Sequence, residues 1–281
     1  MQVALTSPRC DEPAPSRSER TFPLWIYPQI LSLDAPAIAV VWQRFFAKCF
    51  HVPTSPAMLF ATAACVWMIY AADHLLDVRN GAIYSARHAF VARHSRTFVT
   101  AAIVVFAAAT AAAWQFPLEM WIGAMQLTGV VGVYLGFVHL LGERTRRYWP
   151  KEFAISAIFA AGSSLATWTS VALRVLPAVL LFAGLCALNC CVVDYWEWQT
   201  NRVLLRYPQS MTRIVARHFV ATSTMVAAAT YAFAPTDVAL AILLSLLLLL
   251  VLYARRSDLA PELFRLLADA ALLTPTLFLW R

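Results

Sequence analysis

Long apolar runs separated by short polar stretches recur nine times along the chain, and their lengths suit helices, not strands. They cover residues 35–50, 55–77, 97–114, 118–141, 151–173, 176–198, 213–233, 238–253 and 261–280. A helix crosses a bilayer with about 20 mostly apolar residues. The pattern therefore predicts an all-α, polytopic membrane protein, with nine transmembrane helices in one bundle around a cytoplasm-facing cavity over residues 29–281. Asp34, two residues before Pro36, reads as the N-cap of the first span. Residues 1–28 carry Pro8, Pro13, Pro15 and Pro23 among mixed charges with no long apolar core. They read as a disordered cytoplasmic tail, not a signal peptide.

Charge placement orients this bundle. Of 22 Lys and Arg, only Arg44, Lys48, Arg174 and Arg281 fall on one side of the predicted spans. The others lie in the tail and in the connections after spans two, four, six and eight. By the positive-inside rule, the tail and those connections are cytoplasmic and the C-terminus is on the opposite side, as in a multi-pass protein of a bacterial inner (plasma) membrane. Composition agrees, with 61% hydrophobic and 13% charged residues and a mean hydropathy of +0.65, too apolar for a soluble domain. The formal charge of +7 is split into short clusters between apolar runs. Such clusters face anionic lipid and phosphate, and nucleic acid is not an expected partner. No two of the six cysteines form a Cys-x-x-Cys pair, and most lie inside apolar runs as small packing residues.

Chemistry concentrates where spans two and six meet the cytoplasm. Span two ends in Tyr70-Ala71-Ala72-Asp73-His74-Leu75-Leu76-Asp77-Val78-Arg79. Asp73 and Asp77 are one helical turn apart on one face. Two bare carboxylates there repel each other, and each costs on the order of 2.5 to 3.5 kcal/mol at membrane depth. A hard divalent cation such as Mg2+, completed by water and substrate phosphate, suits the spacing; so does a simpler role in which the pair caps the helix and bonds Arg79. Span six ends in Asn189-Cys190-Cys191-Val192-Val193-Asp194-Tyr195-Trp196-Glu197-Trp198. Asn189, Asp194 and Glu197 are spaced to face one cavity, although an Asn can equally bond a neighbouring helix.

A basic stretch follows each acidic helix end. Arg87-His88 leads to Val91-Ala92-Arg93-His94 after the first, and Val215-Ala216-Arg217-His218 follows the second. The Val-Ala-Arg-His tetrapeptide occurs twice, 124 residues apart, as an internal duplication or a chance match of four residues would give. Arginines beside carboxylates are what a metal-bound diphosphate requires, because Arg grips phosphate oxygens in bidentate fashion. A third basic loop, with Arg144, Arg146, Arg147 and Lys151, adds possible phosphate contacts. Asp34 and Asp269 read as capping or packing residues. No two histidines stand four apart on a helix, so no histidine metal centre is expected.

The spans, the tail, the acidic ends of spans two and six and the long basic loops resemble the UbiA-type intramembrane prenyltransferase superfamily. Its helix ends read Asn-x-x-x-Asp-x-x-x-Asp or a close variant and hold Mg2+ and a polyprenyl diphosphate. Here the first reads Ile69, Asp73, Asp77, and the second Asn189, Val193, Glu197, with Asp194 beside the gap at Val193. The resemblance implies metal roles for Asp73, Asp77 and Glu197 and catalytic roles for these three with Asn189 and Asp194. Diphosphate contacts would come from Arg79, Arg87, Arg146, Arg147 and Lys151.

That resemblance implies Mg2+-dependent transfer of a polyprenyl group from an allylic diphosphate to a hydrophobic or aromatic acceptor. Two other functions fit the same features. A UbiA-like scaffold that binds an isoprenoid without turnover would follow from the altered second motif. A transporter would follow from intramembrane acids, but these acids gather at helix ends and not at the midplane.

Overall fold

A computed structural model describes residues 23–80, 86–140, 151–200 and 210–280, and among them every regular element is helical. The expected tail through residue 22, Arg146 and Arg147 lie outside the described residues. The principal helices are α1 (Asp34–Cys49), α2 (Pro56–Arg79), α3 (Ala86–Arg93), α4 (Ser95–Ala113), α5 (Leu118–Leu140) and α6 (Lys151–Val171). They continue with α7 (Leu176–Thr200), α8 (Ser210–Arg217), α9 (Phe219–Phe233), α10 (Thr236–Ala254) and α11 (Pro261–Ala270). Leu24–Ile26 and Tyr27–Ile30 form single helical turns before α1, and Thr276–Leu279 forms one after α11.

Among the described residues, six helices are long and apolar enough to cross a membrane: α2, α4, α5, α6, α7 and α10. The other three expected spans are shorter or broken. The first is bent by 75° between Leu24–Ile30 and α1, at a turn where Ser32 takes a φ of 54°. If that pair is one span the number becomes seven. The seventh run divides at His218 into α8 and α9, and the ninth divides after Ala270 into a 3-10 turn, Ala271–Leu273, and Thr276–Leu279.

Local chemistry sets the helix starts. Ser55 Oγ accepts the Met58 N–H at 3.2 Å, with Pro56 in the first turn of α2, so one of the orphan donors of that helix is satisfied. Asp34 differs from its expected place by one position. Leu33 is the N-cap, and Asp34 is the first helical residue, its Oδ1 accepting the Ala35 N–H at 2.9 Å. Its negative charge still lies at the favourable end of the helix dipole.

Helix α7 is the central element and packs on α6, α8, α9, α10 and α11, while α1 joins α2 to α6. At the α1–α7 contact the fully buried Trp42 stacks on Phe182, ring centroids 4.0 Å apart, and donates its indole N–H to the Leu272 carbonyl at 2.8 Å. Phe45 and Phe46 complete this core. Helices α4 and α5 are peripheral: 11% of the apolar stretch of each is buried, against 61% for α7. Their outward Ile103, Val104, Phe106, Val130 and Val133 form a surface that acyl chains would cover.

Both copies of Val-Ala-Arg-His hold the same structural place. Each ends an eight-residue helix at its Arg, α3 at Arg93 and α8 at Arg217. Each then turns at its His, with φ and ψ of −113° and 24° at His94 and −103° and 30° at His218. The His94 and His218 carbonyls accept the N–H groups of Phe98 and Thr222. A long helix with an acidic end, an eight-residue helix and a break at His thus occur twice, as duplication of one unit would produce.

Candidate functional site

A cavity of about 300 Å³ is lined by residues of α1, α2, α3, α5, α6, α7 and α11. Asp34, Asp73, Asp77, Glu152, Asp194 and Asp269 face Arg87, Lys151 and Arg265 across it, so the lining holds twice as many acids as permanent cations. An excess of carboxylate in a partly desolvated space is offset by bound cations or by protonation.

Asp73 and Asp77 both reach this space because positions i and i+4 share a face of α2. They are partly exposed, at 34% and 23% of their side-chain surface. His139 from α5 bridges them, with Nε2 2.9 Å from Asp73 Oδ1 and Nδ1 3.8 Å from Asp77 Oδ1. Asp77 Oδ2 lies 3.6 Å from Nε2 of His88 on α3. His139 thus bonds Asp73 and lies beside Asp77, with His88 near the other oxygen of Asp77, and the sequence pattern singled out neither imidazole. His74, expected to have no such role, also lines the cavity. The short α3 folds back against the end of α2 and brings His88 to it, a proximity that spacing along one helix cannot reveal.

Three of the four span-six positions reach the same space. Asn189, Val193 and Asp194 line it, and the buried Asn189 donates its amide to Asp269 Oδ1 at 2.9 Å. Glu197 is outside the lining. Both of its oxygens are engaged by Arg265, with Nε to Oε1 at 2.5 Å and Nη2 to Oε2 at 2.6 Å, the fork-to-fork pairing that Arg favours.

The predicted phosphate contacts separate in the same way. Arg87 and Lys151 line the cavity, whereas Arg79 is exposed at the end of α2 and does not. Burial, with the charge of Arg265 adding to it, draws the Arg87 guanidinium below its ordinary value. An anion in the cavity would oppose both effects. Lys151 Nζ is 3.7 Å from Oε1 of the buried Glu152, whose Oε2 accepts the Thr212 hydroxyl at 2.8 Å.

Sequence reasoning treated Asp34, Asp269 and Arg265 as capping, packing or topological residues, yet all three line the cavity. Their shared signal is an ionisable group inside or beside an apolar run; their convergence depends on tertiary structure. Tyr70, Tyr134 and Phe159 supply the aromatic part of the wall. Comparison with family models, with curated proteins and with solved structures finds no match to this chain.

Proposed function

We propose that this chain is a UbiA-like intramembrane prenyltransferase, with nine spans, a cytoplasmic N-terminus and the cavity opening to the cytoplasm. The observation that carries this reading is the convergence on one cavity of Asp73 and Asp77 from α2 with Asn189 and Asp194 from α7, opposite Arg87 and Lys151. The oxygen-rich donor set fits Mg2+, which Asp73 and Asp77 would hold, with Asp194 as a further carboxylate. Mg2+ supplies neutralisation of diphosphate charge when bound. Arg87 and Lys151 bind the diphosphate oxygens, and their positive charge stabilises the leaving group as the allylic carbon–oxygen bond breaks. The electron pair leaves with diphosphate. Tyr70, Tyr134 and Phe159, which line the cavity, would stabilise the allylic cation through their π-systems, and the apolar helices around them exclude water that would quench it. A hydrophobic or aromatic acceptor forms the new bond to the allylic carbon and gives up a proton, which the released diphosphate takes up. The test is binding of a polyprenyl diphosphate to detergent-solubilised protein. Binding should require Mg2+ and be abolished in Asp73→Ala; metal-independent binding that survives this change would overturn the proposal.

A second reading is a UbiA-like scaffold that holds an isoprenoid without turnover. The pairing of Glu197 with Arg265 favours it, because the acid of the second motif is already neutralised. Such a scaffold would bind the prenyl chain in single-site fashion with no release of diphosphate in the presence of Mg2+ and acceptor.

A further inference from the structure

The geometry points to a second cation site, at His74, Asp77 and His88, that takes a divalent first-row transition ion of the Zn2+ or Fe2+ class. The three residues each offer one ligand atom, and these atoms lie within 4.8 Å of one another. An ion with ligands at about 2.0 to 2.2 Å would draw the three atoms closer together than they now stand. Two imidazoles and one carboxylate form a donor set that borderline ions prefer and Mg2+ does not.

His74 makes the strongest argument for a ligand. It is 5% exposed, it lines the cavity, and among the described residues neither of its ring nitrogens has a hydrogen-bond partner. Buried polar groups are almost always paired, so an imidazole with both nitrogens unpaired needs an explanation, and a metal bond to one of them provides it. The ring of His88 stands edge-on to that of His74, centroids 5.4 Å apart, so neither imidazole stacks over the other and covers it.

Asp77 divides its two oxygens between neighbours. Oδ2 faces His88 at 3.6 Å, while Oδ1 faces His139 at 3.8 Å, on the side where Asp73 lies. One oxygen is therefore directed toward the histidine site and the other toward the Asp73 pair. Three protein ligands leave a coordination position open, the arrangement of sites that handle substrate in preference to purely structural ones. That position opens on the cavity that His74, Asp77 and His88 all line.

The site is tested with Co2+ alone, independently of prenyl chemistry. Full-length protein in detergent, stripped with chelator, should bind one Co2+ with the intense visible bands of low-coordinate nitrogen ligation, and excess Mg2+ should not displace it. His74→Ala and His88→Ala should each weaken binding by about 10- to 100-fold or more, because loss of a ligand costs at least as much as loss of a second-shell partner. Asp73→Asn should retain the Co2+ spectrum. Zn2+ should raise the thermal midpoint of the parent and not that of His88→Ala, a readout that stands if His74→Ala fails to fold. A spectrum matching hexaaqua Co2+, or loss in Asp73→Asn with retention in both histidine variants, would overturn the proposal. Failure of diphosphate binding would leave this test unaffected.

Discussion

Asn189 on α7 donates its side-chain amide to Asp269 on α11 across 2.9 Å, tying an expected catalytic residue to an acid expected only to pack. The bond fixes the Asn189 side chain at the cavity wall, where its own Oδ1 is buried without a partner among the described residues. Replacing Asp269 with Ala removes the acceptor and leaves the buried amide unpaired, a loss of about 1–3 kcal/mol. Asp269→Asn keeps an acceptor oxygen and should recover most of it. Thermal unfolding in detergent checks both, and equal destabilisation by the two variants would contradict this role for the bond.

The aromatic contact between α1 and α7 yields a prediction about the scaffold alone. Trp42 is fully buried, stacks on Phe182 and donates to the Leu272 carbonyl. Trp42→Ala should cost about 3–5 kcal/mol, the usual range for deleting a large buried ring. Trp42→Phe preserves an aromatic ring but leaves the carbonyl without its donor, and should cost about 1–3 kcal/mol. Denaturant titration of detergent-solubilised protein separates the two effects.

These residues show what can be read along the chain and what cannot. The apolar runs marked α2, α4, α5, α6, α7 and α10 to within a few residues, because a continuous apolar helix leaves a continuous apolar string. The break at His218 lies at a polar Arg217-His218 step that the length of the seventh run absorbs, and the bend at Ser32 precedes the first run, so hydrophobic periodicity marks neither. Asp73 and Asp77 were legible because their spacing along one helix brings them together. His88 was not: its proximity to Asp77 comes from α3 folding back on α2. Arg265 and Asp269 reach the cavity only through packing of α11 against α7, a contact without a local sequence signature.

Val193 supplies a prediction specific to the transferase reading. It is buried in the cavity wall next to Asp194, at the position where the UbiA-type motif carries an acid. Val193→Asp adds a carboxylate to a lining already rich in acids, so without Mg2+ it should destabilise the protein by about 1–3 kcal/mol. With Mg2+ the new carboxylate gains a partner. Stability should return, and diphosphate affinity should rise by about tenfold, equivalent to roughly 1.4 kcal/mol. Calorimetric titration with and without Mg2+ reads both changes; no difference between the two conditions would count against a metal-filled second motif.

Glu197 and Arg265 separate a structural from a metal-binding role for the second acid. Their side chains are 23% and 25% exposed and meet through two short hydrogen bonds. A pair so engaged has little to offer a metal unless Arg265 moves away. Glu197→Ala leaves Arg265 beside Asp269 and Asp34, while Arg265→Ala leaves Glu197 with an uncompensated charge. Each single change should therefore be destabilising, and the double change should cost less than the sum, with a coupling of about 0.5–3 kcal/mol. If pairing is the role of Glu197, diphosphate binding by Glu197→Ala should retain its Mg2+ dependence, in contrast to Asp73→Ala. If Glu197 binds metal, the two variants should lose binding alike and the stability coupling should vanish. A double-mutant cycle in thermal unfolding, run beside diphosphate titrations of the same variants, decides between these roles.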